Sequence, residues 1–169
     1  MIPEEAASVN RQFDSLHVAP CGPERAGEMQ RLTRAAFAPY RHLDPPSGAV
    51  SESATHVVDD LMEGGGAVAE RDGRAVGCLR WNMASNGDLH VRRVAVEPEL
   101  QRQGIGGALM GWAEEEARRR GCRCLSVGVR VGLPGNLDYF RQLGYVVTGE
   151  HRHEGYDRTT WLSMRKTLR

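Results

Sequence analysis

The stretch VAVEPELQRQGIGGALM, Val94–Met110, sets three glycines, Gly104, Gly106 and Gly107, where an apolar-periodic helix should begin. Glycine inside a helix costs about 1 kcal/mol per site relative to alanine, so bare backbone here needs a reason. A helix start presents free N–H groups and the positive end of the helix dipole, and phosphates are its usual occupant. Gly104 and Gly106 remove side chains that would hold a diphosphate away, while Gln101, Arg102 and Gln103 add donors around it. Gly107 and Gly111 read as clearance that lets the helix pack closely on a sheet. A dinucleotide fingerprint fits poorly. GIGGAL puts Leu109 in place of the third glycine, seven residues including Pro98 separate the strand from the first glycine, and no acid stands about 20 residues on.

Downstream, Ile105, Ala108, Leu109, Trp112 and Ala113 form one helical face, and Glu114→Arg118, Glu115→Arg119 and Glu116→Arg120 are spaced for i,i+4 pairing. Gly121 is the expected C-terminal cap. CRCLSVGVRV then reads as a buried strand, NLDYFRQLGY as a short helix closed by Gly144, and YVVTGEHRH and TTWLSMRK as a final strand pair. Upstream, Asp72-Gly73 and Asn86-Gly87 are hairpin signals that make 66–96 a three-stranded antiparallel meander. Before it come a strand at 15–20, a helix carrying Met29, Leu32, Ala36 and Phe37, a loop at 41–53 and a helix at 53–63 ended by Gly64-Gly65-Gly66. The order is β-α-α-β-β-β-α-β-α-β-β.

Bulk properties narrow the class. The chain has 169 residues, with Lys+Arg and Asp+Glu both at 22. Zero formal charge argues against a nucleic-acid partner, which draws on cationic excess. No apolar run approaches a membrane span, and the polar start MIPEEAASVNRQF is no signal peptide, so no membrane partner is expected. Cysteines at 21, 78, 122 and 124 form no disulfide framework. A cytoplasmic chain is expected, with a flexible tail at 1–14 and a single domain at 15–169.

The strand VAV followed by EPELQRQGIGGALM resembles the signature of the GNAT superfamily of N-acetyltransferases, Arg/Gln-x-x-Gly-x-Gly/Ala, met by Gln101, Gly104 and Gly106. NLDYFRQLGYVV is similar to the family's second motif, and the element order is the family's. The resemblance implies an α+β fold, with a mixed, mostly antiparallel central sheet of about seven strands flanked by about four helices. Its fourth and fifth strands splay apart. It also implies acetyl-CoA as acetyl donor, with the pantetheine arm between those strands, paired to backbone along Val94, Ala95 and Val96. The Val96 N–H would face the thioester oxygen and stabilise the charge that builds there. Backbone from Gln101 through Arg102, Gln103, Gly104 and Ile105 to Gly106, with Gly107 beside it, would hold the diphosphate. Asn136 resembles a cofactor-contacting asparagine, with capping of the 137–143 helix as a compatible role. Phe140 falls within the cofactor contacts.

Transfer to an amine needs a base for the ammonium and is helped by an acid for the thiolate. The position fourteen residues before the first motif glycine, often glutamate in the family, is His90, whose ordinary pKa of about 6.5 suits a base. Alternation puts His90, Arg92 and Val94 on one face and Leu89, Val91 and Arg93 on the other. The family's tyrosine acid is replaced by Phe140, with Tyr139 adjacent. Either Tyr139 substitutes, or a thiolate of pKa about 8.5 leaves unassisted. The resemblance lines the acceptor site with RHLDPPSGAVSES and HRHEGYDRT. Cys124 is expected to border the cleft, and Trp81 and Trp161 to be core or sheet-face residues. His151-x-His153 lacks a third ligand in sequence, so no metal is expected. The implied function is direct acetyl transfer to a small-molecule amine or a peptide amino-terminus. The alternative is an acyl-CoA-binding module without transferase activity. Homodimerisation is common in the family, though no interface is legible.

Overall fold

The computed structural model describes residues 15–169; the expected tail at 1–14 lies outside the described residues. Strand β1 (Leu16–Cys21) leads into α1 (Ala26–Phe37), and 3-10 turns at Ala38–His42 and Gly48–Val50 precede α2 (Ala54–Glu63). Ser53 caps α2, its hydroxyl accepting the His56 N–H at 3.0 Å. The meander follows as β2 (Gly65–Arg71), β3 (Arg74–Met83) and β4 (Leu89–Val96), with Asp72 and Gly73 both at positive φ, as a two-residue hairpin turn requires. Then come α3 (Ile105–Arg119), β5 (Cys124–Arg130), α4 (Pro134–Gln142), β6 (Val146–His151) and β7 (Trp161–Thr167). The seven strands form one sheet in the order β1-β2-β3-β4-β5-β7-β6, antiparallel except where β4 meets β5.

Two apolar layers cover the sheet. On one face Met29, Leu32 and Ala36 of α1 and Val57 and Leu61 of α2 pack with Val68, Cys78 and Ala95. On the other, Ile105, Leu109, Met110, Ala113 and Ala117 of α3 pack with Leu79, Leu89, Val91, Leu125 and Val127. The i, i+4 spacing of those α3 residues is what buries one stripe of the helix.

Several expectations change in detail. Gly107 and Gly111 do not serve close packing: both are exposed, and a Cβ on either would meet nothing within 4 Å. The close approach is made from the sheet instead, where a Cβ on Gly77 would lie 3.0 Å from Ile105 and 3.1 Å from Leu109. Gly65 and Gly66 belong to β2 rather than to the end of α2, because Trp81, Leu61 and Leu79 crowd the space a side chain would need. Arg119 pairs with Glu116 and Arg118 with both Glu114 and Glu115, so the expected Glu115–Arg119 pair is not made.

The site depends on an irregularity in β4. Its register against β3 shifts by one residue between Arg80↔Arg92 and Cys78↔Ala95, with Arg93 at φ 55°. This is a β-bulge, one extra residue on β4. Beyond it the alternation is inverted. Val94 and Val96 turn to the α3 layer, whereas His90 and Arg92 share the α2 face with Ala95. The predicted grouping of His90, Arg92 and Val94 therefore fails at Val94. β4 meets β5 only at Leu89↔Leu125 and His90↔Ser126, after which the two part.

Candidate active site

Where β4 and β5 separate, a cleft of about 970 Å³ opens, bounded by the start of α3, by α4, by residues 45–48 and by Trp161. The sheet's own hydrogen bonding explains why its β4 wall is polar. The Glu97 N–H bonds to the Val76 carbonyl, so Val96 and Gly77 form a non-hydrogen-bonded pair. The peptide groups of Val96 and, two residues back, Val94 therefore point away from β3 into the gap. Gln101 Nε2 donates to the Val96 carbonyl at 3.3 Å.

At one end of the cleft the first intrahelical bond of α3 runs from Ala108 N–H to the Gly104 carbonyl, and no side chain caps the helix. The N–H groups of Ile105, Gly106 and Gly107 are thus without helical partners. Gly104 sits at φ 87°, a left-handed conformation that disfavours any side chain. A Cβ on Gly106 would come 3.3 Å from the Tyr139 hydroxyl and 3.9 Å from Val96 Cγ2. Tyr139 thus carries its hydroxyl to the junction of α3 and β4, while Phe140 packs edge-on to Tyr139 and Tyr145. Burial raises the Tyr139 pKa, so the phenol keeps its proton. Gln101, Arg102, Asn136 and Phe140 also line the cleft. Asn136 does not cap α4: the helix begins two residues earlier at Pro134, with Leu133 as its N-cap. Ala95 is buried against α1, and the Gln103 side chain accepts from Arg71, so neither lines the cleft.

At the other end His90 Nδ1 lies 2.9 Å from Ser126 Oγ. Burial first, and the Arg92 charge second, hold the His90 pKa below the ordinary histidine value, so the ring is neutral at pH 7. Arg92 and Arg93 also line this end. The bulge turns both to one side, where Arg92 reaches Asp60 at 3.1 Å and Arg93 reaches Glu52 at 3.3 Å. The same two carboxylates hold the buried Arg80, at 2.8 Å from Asp60 and in contact with Glu52. Phe37, Tyr40, Pro45, Pro46 and Trp161 supply apolar wall, and a Cβ on Gly128 would meet the Trp161 ring at 3.5 Å.

Both predicted acceptor loops contribute, through residues 45–48 and His153. They are tied together: the Tyr156 hydroxyl donates to Asp44 at 2.5 Å, Arg158 donates to Asp44 at 3.3 Å, and Arg130 donates to the Pro45 carbonyl. His151 stacks on Trp161 at 3.9 Å while His153 bonds Thr160, so the two rings of His-x-His diverge. Cys124 does not border the cleft; it is buried near Thr167. Trp81 is core, and Trp161 is both sheet-face residue and cleft wall.

Sequence reasoning missed Ser126, Arg130 and the Arg80–Glu52–Asp60 network. Ser126 and Arg130 are the polar positions of an otherwise apolar strand, a parity signal that points to the face opposite the core. The network joins residues far apart in sequence and has no local signal.

The family model described as Acetyltransferase (GNAT) family matches residues 29–145. The S-(2-succino)cysteine N-acetyltransferase of Bacillus subtilis (strain 168) is 28% identical over 133 residues, covering 74% of this chain and 81% of that protein. The S-alkylcysteine N-acetyltransferase of the same organism is 27% identical over 141 residues, covering 78% and 79% respectively. Among solved structures, the PaiA N-acetyltransferase of Thermoplasma acidophilum in complex with coenzyme A superposes with a TM-score of 0.74 at 15% identity, covering 91% of this chain and 99% of that one.

Proposed function

The chain belongs to the GNAT acetyltransferase family and is an acyltransferase; from that premise we propose that it transfers an acetyl group from acetyl-CoA directly to the amine of a small molecule. The observation that carries this reading is the gap between β4 and β5, edged by the outward peptide groups of Val94 and Val96 and closed by the uncapped start of α3. These features fit an extended amide-bearing arm ending in a diphosphate. The arm would pair with Val94 and Val96 as an added strand does, and the diphosphate would take the N–H groups from Gly104 to Gly107 with Gln101 and Arg102 beside them. Acetyl-CoA supplies an activated acyl group and a thiol that leaves.

The chain's own residues supply the rest. The Val96 N–H is a fixed donor aimed into the gap, where it stabilises negative charge developing on an acyl oxygen. His90, neutral at pH 7 and anchored by Ser126, takes the proton of the incoming ammonium, directly or through a water. Tyr139 keeps a proton near Val96 and is the acid available to the departing thiolate. This arrangement favours Tyr139 over unassisted departure. A small-molecule acceptor is supported by the two Bacillus subtilis relatives, named for S-substituted cysteines.

The test is calorimetric titration with acetyl-CoA, using NAD as control, followed by a thiol-release assay across S-substituted cysteines, polyamines and peptide amino-termini. Acetyl-CoA binding with turnover of a small amine is expected. Binding without turnover of any amine would overturn the transferase reading, and turnover confined to peptides would overturn the small-molecule acceptor.

A further inference from the structure

The lining of the cleft is one-sided in charge. Arg92, Arg93, Arg102 and Arg130 line it, with His90 and His153, and no aspartate or glutamate does. An acceptor that arrives as a cation would ordinarily be met by a carboxylate. Three acids of the flanking loops do not fill that role. Asp44 is taken by Tyr156 and Arg158, Glu52 is buried between Arg80 and Arg93, and Glu154 is exposed and outside the cleft.

The positive charge is not cancelled from behind. In the network beneath the cleft, three guanidiniums (Arg80, Arg92, Arg93) share two carboxylates (Glu52, Asp60), leaving one charge in excess. Arg80 is buried, so the excess is presented to the cleft by Arg92 and Arg93. Nη2 of Arg93 lies beside Gly48, 3.2 Å from where a Cβ there would stand, so this guanidinium sits at the loop that walls the acceptor end. Arg130 has no carboxylate within salt-bridge distance among the described residues, and its Nε is buried without a hydrogen-bond partner. A buried donor left unpaired is costly, which favours an acceptor group at that point.

These charges are arranged at different distances from the base. Arg92 lies two residues along β4 from His90 on the same face, about 7 Å away at 3.3 Å per residue. Arg130 lies four residues along β5 from Ser126, the partner of His90, and so about 13 Å away. Gly128, midway, leaves room between them under the Trp161 ring.

We propose that the acceptor is an α-amino acid that carries a second acidic group, its α-carboxylate held by Arg92 and Arg93 and its distal carboxylate by Arg130. The inference rests on the N-acetyltransferase reading and names its substrate class. It also gives the site a chemical logic. A cleft without carboxylates does not stabilise an ammonium, so the bound amine loses its proton to His90 more readily, while the substrate's own carboxylates supply the binding.

The experiment compares size-matched acceptors with the full chain and acetyl-CoA: S-carboxymethylcysteine, its neutral S-carbamoylmethyl analogue, its cationic S-aminoethyl analogue, and the α-carboxamide of the first. The carboxymethyl compound should have the highest kcat/KM, with losses of about tenfold or more for the carbamoylmethyl analogue and for the α-carboxamide, and the largest loss for the aminoethyl analogue. Arg130→Gln should shrink the carboxymethyl preference over carbamoylmethyl and leave the α-carboxamide penalty in place. Equal or better use of the neutral or cationic analogues would overturn the inference while leaving the transferase reading intact. If acetyl-CoA binds and another amine is acetylated while none of the four is, the inference is overturned and the transferase reading stands; if no amine is acetylated, the transferase reading is overturned. In that case the charge preference is decided by tryptophan fluorescence on titrating the same four compounds into the CoA-bound protein, where preference for the cationic analogue would overturn the inference as well.

Discussion

Replacing Gly104 and Gly111 each by alanine separates the backbone from its surroundings. A Cβ at either position meets nothing within 4 Å, so neither substitution causes a clash. The two sites differ in conformation: Gly104 is left-handed at φ 87°, and Gly111 lies inside α3 on its exposed side. Alanine in the left-handed region costs about 1–2 kcal/mol. Alanine for glycine in an exposed helix interior gains up to about 1 kcal/mol. The variants should therefore differ by about 2 kcal/mol in stability. In a chain of this size that corresponds to melting points about 4–8 °C apart, with the parent between them. Circular dichroism melts would measure it. Calorimetry supplies the second readout, in which Gly104→Ala weakens acetyl-CoA binding because the loop ahead of α3 must shift, and Gly111→Ala leaves it unchanged. A Gly104→Ala protein that melts at or above the parent would refute the claim that this position is held left-handed.

Three further outcomes are expected. Because burial and Arg92 disfavour the charged form of His90, the acid limb of the kcat/KM profile should fall below the ordinary histidine range. His90→Gln should lower kcat and abolish that limb, and Arg92→Gln should move it upward. Asp88 is buried and takes both Arg165 donors, at 2.5 and 2.7 Å, which holds its carboxyl below the usual range. Its contribution to stability is present above that range and is lost as pH falls through it; Asp88→Asn should cost about 2 kcal/mol at pH 7 in urea denaturation. Glu52→Gln leaves Arg80 and Arg92 on Asp60 alone and Arg93 without a carboxylate, and should cost about 3 kcal/mol, read as a lower urea midpoint at unchanged slope.

The uncapped α3 end of the cleft was legible in the sequence because its signal is local. Gln101 to Gly107 follow one another along the chain, and the chemistry of an uncapped helix start can be read from residue types alone. The hairpins at Asp72-Gly73 and Asn86-Gly87 were legible for the same reason. The end beside His90 was not. His90 could be placed on β4 by counting, but its partner Ser126 is fixed by the pairing of two strands 36 residues apart. The face of Val94 could not be read from alternation, since one extra residue at Arg93 reverses it and Arg93 carries no glycine to announce a bulge. Gly107 and Gly111 misled for a related reason: a small residue on a helix signals clearance only if that face meets the sheet, and the partner that gave way was Gly77.

The bulge has a consequence for how β4 can change over time. A point substitution anywhere along the strand is felt where it occurs. A one-residue deletion at Arg93 would remove the extra residue and leave plain alternation, with Val94 and Val96 still in the α3 layer, Ala95 still beneath α1 and the peptide groups still facing the gap. A deletion at any other position of β4 would leave the bulge in place and turn the residues on one side of the cut to the opposite face. Arg93 is thus the one position at which the strand can shorten without exchanging its faces, at the cost of the contact with Glu52.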